Sequence, residues 1–139
     1  MDIVDPPRRS KMMSGIKGKN TRPELLVRKF LHAQGYRYRL HRKELPGKPD
    51  IVLPKLKVCI FVHGCFWHQH EACKYATIPK TRPEFWETKF RENKDRDKKA
   101  SDALCRLGWT VLIVWECELK GRAQGLSRLL DALKEASRN

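Results

Sequence analysis

Four potential metal ligands in two separate segments restrict how this sequence can fold more than any other feature. Residues 63–73 read His-Gly-Cys-Phe-Trp-His-Gln-His-Glu-Ala-Cys, and a further cysteine, Cys117, follows a long apolar run near the C-terminus. Together, Cys65, His70, Cys73 and Cys117 form a Cys3His set, which is typical of a closed, structural zinc site. The pattern therefore predicts that Zn²⁺ fastens an irregular loop to the end of the apolar run.

Other assignments of these side chains stay open. His68 competes with His70 for the fourth ligand position, and the thiols could also be unliganded. The number of cysteines, five, is odd, which argues against a disulfide framework. Cys59 and Cys105 fall on apolar faces, and we expect both in the core.

Helical and strand-like segments alternate along the chain. The motif Thr-Arg-Pro-Glu occurs at 21–24 and at 81–84, and it predicts a helix start in which Thr caps and Glu completes a capping box. We expect helices from Thr21 to about Gln34 and from about Thr81 to Leu107. Apolar periodicity predicts strands at 36–40, 50–53, 58–62 and 109–115, and a last helix at roughly 122–137.

The same periodicity predicts which side chains face the core. The expected inward residues of the helices are Leu26, Val27, Phe30, Leu31, Phe85, Phe90, Ala100, Ala103, Leu104, Leu107, Leu126, Leu129, Leu130 and Leu133. The segment Trp109–Trp115 is continuously apolar, which favours a central buried strand with both tryptophans in the core. Segments 50–53 and 58–62 flank a short connection and predict an antiparallel hairpin.

The order of elements, α-β-β-β-α-β-α, predicts an α/β fold with a mixed sheet flanked by helices. With 139 residues, the chain suits one compact domain, which we expect at 21–139. Residues 1–20 are polar and are interpreted as a mobile arm with a short helix around 10–16.

The charge of the chain indicates an anionic partner. Lys and Arg number 30 against 16 Asp and Glu, a formal net charge of +14, and nucleic acid is the first candidate. A basic surface without such a partner is the alternative. The sequence has no apolar run of membrane-spanning length and no secretory signal, so we expect a cytoplasmic protein that does not bind membranes.

Asp50 lies behind the turn Pro46-Gly-Lys-Pro49, at the start of the predicted hairpin. Mg²⁺ prefers oxygen ligands and keeps several waters, and nucleases use it to polarise a phosphoryl oxygen. An Asp after Pro is also common in ordinary turns. The hairpin, the histidine cluster and the positive charge favour the metal interpretation.

Several segments together resemble the very-short-patch repair (Vsr) endonucleases. They are Arg9-Ser-Lys-Met-Met13, Pro49-Asp50, Val58-Cys-Ile-Phe-Val-His63-Gly-Cys-Phe-Trp-His68, Thr81-Arg-Pro-Glu-Phe-Trp86, Asn93-Lys-Asp-Arg-Asp97 and Trp115-Glu-Cys117. The resemblance implies a restriction-endonuclease-like fold. It also implies an enzyme that nicks DNA on the 5′ side of the thymine in T:G mismatches, which arise when 5-methylcytosine deaminates.

The resemblance also assigns roles. Asp50 would bind Mg²⁺ through its carboxylate and Val62 through its backbone carbonyl. His68 would act as general base on the attacking water, or relay its proton, and Asp97 would orient it. His63 would contact phosphate.

Glu24 would hold a second Mg²⁺ through water, although it is also the capping-box acid of the first helix. Phe66, Trp67 and Trp86 would wedge beside the mismatch, and Met13 of the arm would enter the minor groove. Ordinary core packing is the alternative for the aromatic residues. The family's metal loop is one residue shorter, and Val62 stands where the family has Thr.

The expected partner is double-stranded DNA of the bacterial nucleoid containing a T:G mismatch, acted on by a monomer. Mismatch-repair proteins such as MutL are candidate partners. Two other functions fit the same residues: a non-catalytic, zinc-structured DNA-binding module, and a restriction-like nuclease without mismatch preference.

Overall fold

The computed structural model describes residues 21–71, 73–120 and 124–138. The predicted N-terminal arm, with Met13 and its short helix, lies outside these ranges. The described elements follow the predicted order. They are α1 (Arg22–Ala33), β1 (Arg39–Leu40), β2 (Ile51–Leu53), β3 (Val58–His63), α2 (Pro83–Arg106), β4 (Thr110–Trp115), a 3₁₀ turn (Glu116–Leu119) and α3 (Gln124–Ser137).

The four described strands form one mixed sheet in the order β1-β2-β3-β4. Strands β1, β2 and β3 are antiparallel neighbours, which confirms the predicted hairpin. Strand β4 runs parallel to β3 after the crossover through α2, and its Trp115 pairs with His63. Because parallel strands end at the same edge of a sheet, the segments that follow His63 and Trp115 leave the sheet side by side.

Helices cover both faces of the sheet, as predicted for an α/β fold. On one face, α1 and α3 bury Val27, Leu31, Leu129 and Leu133 against the strands. On the other face, α2 packs Leu104 against Val52 and Cys59. Each fully buried Val or Leu stabilises the fold by roughly 1.5–3 kcal/mol.

The start of α1 matches the sequence prediction, but its buried face differs. The Thr21 hydroxyl accepts from the Glu24 N–H at 3.4 Å, and the helix is followed by Gly35 at φ 85°. The buried residues of α1 are Glu24, Val27 and Leu31, whereas Leu26 is 43% exposed. The prediction for Leu26 was wrong because the charged Glu24 occupies the inward position of the first turn.

Helix α2 begins later than predicted, and its ends are more exposed. It starts at Pro83, its N-cap is Arg82 at φ 55°, and no side chain caps it, so the expected cap by Thr81 is wrong. Phe85 and Leu107 are exposed rather than inward. Leu107 lies beyond the last helical residue, where helical periodicity no longer determines which way a side chain faces.

Strand β4 is the edge of the described sheet and not its centre. Only Val114 is buried in β4, and Trp115 is half-buried. Trp109 precedes the strand and is also half-buried, so neither tryptophan is a fully buried core residue. Cys59 is buried as expected, but Cys105 is exposed. Helices α2 and α3 each cover part of one face of β4. Because both faces are partly covered, the strand has the apolar sequence of a central strand although it lies at the edge.

None of the helices described for the chain is long and apolar enough to cross a membrane.

Candidate active site

A cavity of about 560 Å³ opens where the start of β2, the end of β3 and the middle of α2 meet. Asp50, His63, His68 and Asp97, which the sequence analysis singled out, all line it. Segments far apart in the sequence therefore bring one carboxylate, two imidazoles and a second carboxylate to the same space. Val62 lines the cavity as well.

The Asp50 carboxylate is held by the neighbouring strand. Its Oδ2 atom accepts the Val62 N–H at 2.7 Å. Burial raises the pKa of the Asp50 carboxyl from its ordinary 3.8 to about 6; the Val62 N–H opposes this rise, and the nearby Glu24 charge adds to it. A carboxylate that is costly to ionise, beside another acid, is stabilised by a cation.

The turn before Asp50 is fixed by close packing against α2. Gly47 has φ 75°, and a Cβ atom there would lie 2.5 Å from the Cβ of Ala100. Pro49 is fully buried. Glycine is therefore required at 47 by both its backbone conformation and its surroundings, and this contact sets the position of Asp50.

His68 and Asp97 form a hydrogen-bonded pair. The His68 Nδ1 atom lies 2.7 Å from Asp97 Oδ2, and both side chains are about one quarter to one third exposed, at 26% and 31%. Since an ionised carboxylate only accepts, the pair favours the tautomer with the proton on Nδ1. The Nε2 atom of His68 is then free of a proton and can accept one.

His63 packs directly on His68. Their rings stack with centroids 3.8 Å apart and an interplanar angle of 3°. Burial lowers the pKa of His63 from 6.5 to about 4; His68 also lowers it, and Asp97 opposes. His63 Nδ1 is buried without a hydrogen-bond partner among the described residues. His63 is therefore neutral at pH 7, and its Nδ1 atom is enclosed by the protein rather than open to the cavity.

Glu24 takes part in a network that the sequence did not predict. It is 1% exposed, and its Oε2 atom contacts the Arg28 guanidinium and, at 2.8 Å, His41 Nε2. The carboxylate thus points away from the helix N-terminus, so it does not close the capping box. Sequence reasoning missed His41, although its place shortly before the Pro46–Asp50 turn, within the same strand pair, was an available signal.

Three basic residues that were also missed line the cavity: Lys43, Lys48 and Arg96. The net charge of the chain predicted the sign of such a surface but not its location. Cations beside a cavity of this kind are suited to phosphate oxygens.

The Cys65, His70, Cys73 and Cys117 side chains converge, with ligand atoms within 4.8 Å of one another. His70 Nδ1 lies 3.4 Å from the Cys117 sulfur and 3.7 Å from that of Cys65. The parallel register of β3 and β4 explains this meeting, because Cys65 and Cys117 each lie two residues beyond a paired strand end. These four side chains could hold a metal; His68 points to Asp97 instead.

The chemistry of this cluster suits a soft cation. Burial raises the pKa of the Cys65 thiol to about 12, so the thiol is protonated at pH 7 unless a cation compensates. His70 stacks on Trp115 with centroids 4.0 Å apart, which fixes its ring. Three thiols and one imidazole at this spacing fit tetrahedral Zn²⁺.

The loop after β3 also carries the aromatic residues. Phe66 and Trp67 contact each other and Trp86, with ring centroids 5.1–5.9 Å apart. The Asn93 side-chain amide donates to the Trp67 carbonyl at 2.9 Å and ties the loop to α2. All three rings are half-buried, so each packs on its neighbours and also reaches the surface.

Known proteins share sequence with most of this chain. The sequence model of the family described as "DNA mismatch endonuclease Vsr" matches residues 1–74 of the 139. The DNA mismatch endonuclease Vsr of Escherichia coli K12 is 44% identical over 87% of this chain and 77% of its own length. The chain belongs to the Vsr family of DNA mismatch endonucleases. It is accordingly a DNA endonuclease, with DNA as its partner.

Two further relatives are similar over almost their whole length. The type II nicking enzyme V.XorIIP of Xanthomonas oryzae pv. oryzae is 47% identical over 95% of this chain and 96% of its own. The type II nicking enzyme V.NmeAIP of Neisseria meningitidis serogroup A is 47% identical over 97% and 98%. The predicted family relationship is confirmed.

Proposed function

We propose that this Vsr endonuclease nicks one DNA strand, in the presence of Mg²⁺, on the 5′ side of the thymine in T:G mismatches produced by deamination of 5-methylcytosine. The observation that carries the proposal is that Asp50 and the His68–Asp97 pair line one cavity. Its relatives include nicking enzymes and a DNA mismatch endonuclease, which supports strand nicking at a mismatch.

Asp50 and Val62 are the residues that would hold Mg²⁺. The donor set fits a hard cation: Asp50 is desolvated beside Glu24, and its second oxygen is not used by the Val62 N–H. The N–H and C=O of one strand residue point to the same neighbour, so the Val62 carbonyl faces the Asp50 side. Bound Mg²⁺ supplies charge stabilisation for the phosphoryl and leaving oxygens.

The protein's own groups then manage the proton and the phosphate. His68 Nε2 accepts a proton from the attacking water, while Nδ1–H donates to Asp97 and the carboxylate stabilises the imidazolium that forms. His63, neutral and stacked on His68, lines the same cavity and is proposed to contact a phosphate oxygen there. The positive charges of Lys43, Lys48 and Arg96, which also line the cavity, attract the phosphates of the DNA strand.

We also propose that Cys65, His70, Cys73 and Cys117 bind a structural Zn²⁺. The site leaves no open position for water, which suits a stabilising role rather than catalysis. Zinc there would fix the loop that carries both His68 and the aromatic residues.

Recognition of the mismatch is assigned to Phe66, Trp67 and Trp86. Inserting rings beside a base step costs a few kcal/mol of stacking, less where the pair is already weak. Their half-buried cluster supports such a wedge, because packing fixes each ring before DNA arrives. Met13 of the arm is proposed as a minor-groove contact; it lies outside the described residues.

The remaining expectations are part of the same proposal. They are a restriction-endonuclease-like fold, one domain at 21–139 and a second Mg²⁺ held through water by Glu24. We further propose a monomeric enzyme that acts on nucleoid DNA in a bacterial cytoplasm and cooperates with mismatch-repair proteins such as MutL.

A nicking assay tests the function. Duplexes of identical sequence with one T:G or one T:A pair are labelled on either strand and incubated with zinc-loaded protein, with and without Mg²⁺. We expect a cut only in the T-containing strand of the T:G duplex, and only with Mg²⁺. Equal cutting of both duplexes would instead support a restriction-like nuclease, and binding without cutting would support a non-catalytic DNA-binding module.

A further inference from the structure

Two lysines of the described residues end a tight turn in a left-handed backbone conformation. Lys48 has φ 49° and Lys57 has φ 57°. Each closes its four-residue turn through its own N–H: the Lys48 nitrogen lies 3.1 Å from the Leu45 carbonyl oxygen, and the Lys57 nitrogen lies 3.2 Å from that of Pro54. This conformation is unfavourable for a residue with a long side chain and suits glycine. Both lysines therefore stand where glycine would be less strained.

The two lysines differ in what their side chains meet. The Lys57 ammonium lies 4.7 Å from the centre of the Trp109 ring, so this side chain packs on the protein. Lys48 is exposed and lines the active-site cavity together with Asp50 and His68. The ion pairs of the described residues do not include Lys48. Backbone strain that no such pair offsets, at the wall of this cavity, is typical of a residue retained for function.

The backbone on both sides of Lys48 is held in place. Pro49 is fully buried, and a Cβ atom on Gly47 would lie 2.5 Å from the Cβ of Ala100. Lys48 precedes Asp50 by two residues, so at most about 7 Å separates their Cα atoms. The four-carbon stem of lysine spans a comparable distance. The Lys48 ammonium therefore reaches an anion that lies beside the Asp50 carboxylate.

Of the three described cations that line the cavity, Lys48 is the closest in the chain to Asp50. Lys43 is farther away along the chain, and the Arg96 guanidinium contacts the side-chain oxygen of Asn93. Cleavage of a phosphodiester increases the negative charge on the phosphoryl oxygens, and a cation already positioned there stabilises that charge. The phosphate that is cleaved is thus a specific partner for Lys48.

We propose that Lys48 is a catalytic residue that contacts a non-bridging oxygen of the phosphate being cleaved, and that its strained backbone is retained for this contact. The inference rests on the proposed function, because it concerns the same cavity and the same reaction. Lys48 transfers no proton. The water oxygen bonds to phosphorus and its proton goes to His68, the bond to the leaving sugar oxygen breaks, and that oxygen takes a proton from solvent.

A binding experiment tests the contact without any cleavage. The full chain, loaded with zinc, is titrated in magnesium-free buffer with T:G duplexes in which one phosphate near the thymine is replaced by an uncharged methylphosphonate, each position in turn. At the phosphate 5′ of the thymine, the replacement should weaken binding of the parent at least about fivefold more than binding of Lys48→Gln, within the range of coupling between contacting groups. At the other positions it should weaken both proteins equally.

Kinetics and stability provide a second test. Lys48→Gln should slow single-turnover nicking at saturating protein by about 10²-fold or more, the loss seen when one group that stabilises the developing charge is removed. Lys48→Arg keeps the charge and should recover most of the rate. Lys48→Gly should be as slow as Lys48→Gln, yet its melting temperature should equal or exceed that of the parent, because glycine relieves the strain.

Lys57→Gly is the matched control, since it relieves the same strain in the same kind of turn at a residue that does not line the cavity. It should nick at the parental rate. Full-rate nicking by Lys48→Gln would overturn the proposal. So would a melting temperature of Lys48→Gly below that of Lys57→Gly, because Lys48 would then support the fold.

The binding readout lets the two proposals fail separately. If Lys48 is coupled to no phosphate, or only to one that is not cleaved, while T:G duplexes are nicked, the role of Lys48 is wrong and the proposed function stands. If Lys48 is coupled to the phosphate 5′ of the thymine but no duplex is nicked, the contact stands and the proposed function is wrong.

Discussion

His68 Nδ1 lies 2.7 Å from Asp97 Oδ2 although 29 residues separate them in the chain. The loop after β3 supplies the imidazole and the middle of α2 supplies the carboxylate. This pairing determines which nitrogen of His68 can accept a proton. It also assigns a role to Asp97, which lies in a highly charged segment of α2.

Removal of either partner should reduce chemistry more than DNA binding. His68→Ala and Asp97→Asn should each lower kcat by about 10²- to 10⁴-fold, the range of a positioned general base, with little change in KM. Asp102→Asn is the matched control, since Asp102 is an exposed carboxylate of the same helix. Single-turnover nicking measures the effect; an Asp97→Asn rate equal to that of the control would contradict the assigned role.

The ionised Asp50 carboxylate should lower the free energy of unfolding above about pH 6. Because burial raises its folded-state pKa from 3.8 to about 6, its contribution is most favourable below pH 3.8 and is lost as the pH rises through 6. The amide oxygen of Asp50→Asn can still accept the Val62 N–H. At pH 7.5 the free energy of unfolding of this variant, measured with urea, should therefore exceed that of the parent by roughly 1–3 kcal/mol. The gain should vanish near pH 3.5. A variant less stable than the parent at pH 7.5 in magnesium-free buffer would show that the ionised carboxylate is stabilised.

The contribution of His63 to stability should change with pH in the opposite direction to that of Asp50. Its folded-state pKa is lowered from 6.5 to about 4, so its contribution is present above pH 6.5 and is lost as the pH falls towards 4. His63→Gln should flatten this acid limb of the stability profile, whereas His32→Gln, at an exposed position, should not. Urea unfolding at intervals between pH 4 and 7.5 measures both, and parallel profiles for the parent and His63→Gln would refute the prediction.

The cysteine cluster should bind one zinc per chain and hold the loop. Cys117→Ser should abolish stoichiometric zinc and lower the melting temperature, because metal binding contributes directly to folding free energy. Cys105→Ser is the matched control, an exposed cysteine outside the cluster. Elemental analysis and thermal unfolding of both variants provide the measurement; equal zinc contents would place the metal elsewhere.

The turn before Asp50 should not tolerate a side chain at 47. Gly47→Ala combines a strained backbone with a contact 2.5 Å from Ala100, and should cost about 2–4 kcal/mol and reduce nicking by displacing Asp50. Gly35→Ala has φ 85° but nothing within 4 Å, so it isolates the backbone cost, about 1 kcal/mol. Similar losses in the two variants would mean that the contact with Ala100 relaxes freely.

Local sequence signals predicted the elements well where they acted over a few residues. The Thr21 cap, the stop at Gly35 and the hairpin of β2 and β3 all depend on neighbours in the chain. The same reasoning was wrong at Thr81, because Arg82 in a left-handed conformation begins α2 two residues later. It was wrong for Cys105 and Leu26 because apolar character alone does not decide which face of a helix is covered.

The sequence by itself determined the family and the order of elements, since motif residues and their spacing are local properties. Only the tertiary structure decided that β4 lies at the edge of the described sheet, that Glu24 turns inward to Arg28, and that His41 meets Glu24 and Asp50. These contacts depend on strand register and on the packing of helices against the sheet. Those interactions join residues distant in sequence, and no periodicity within one segment encodes them.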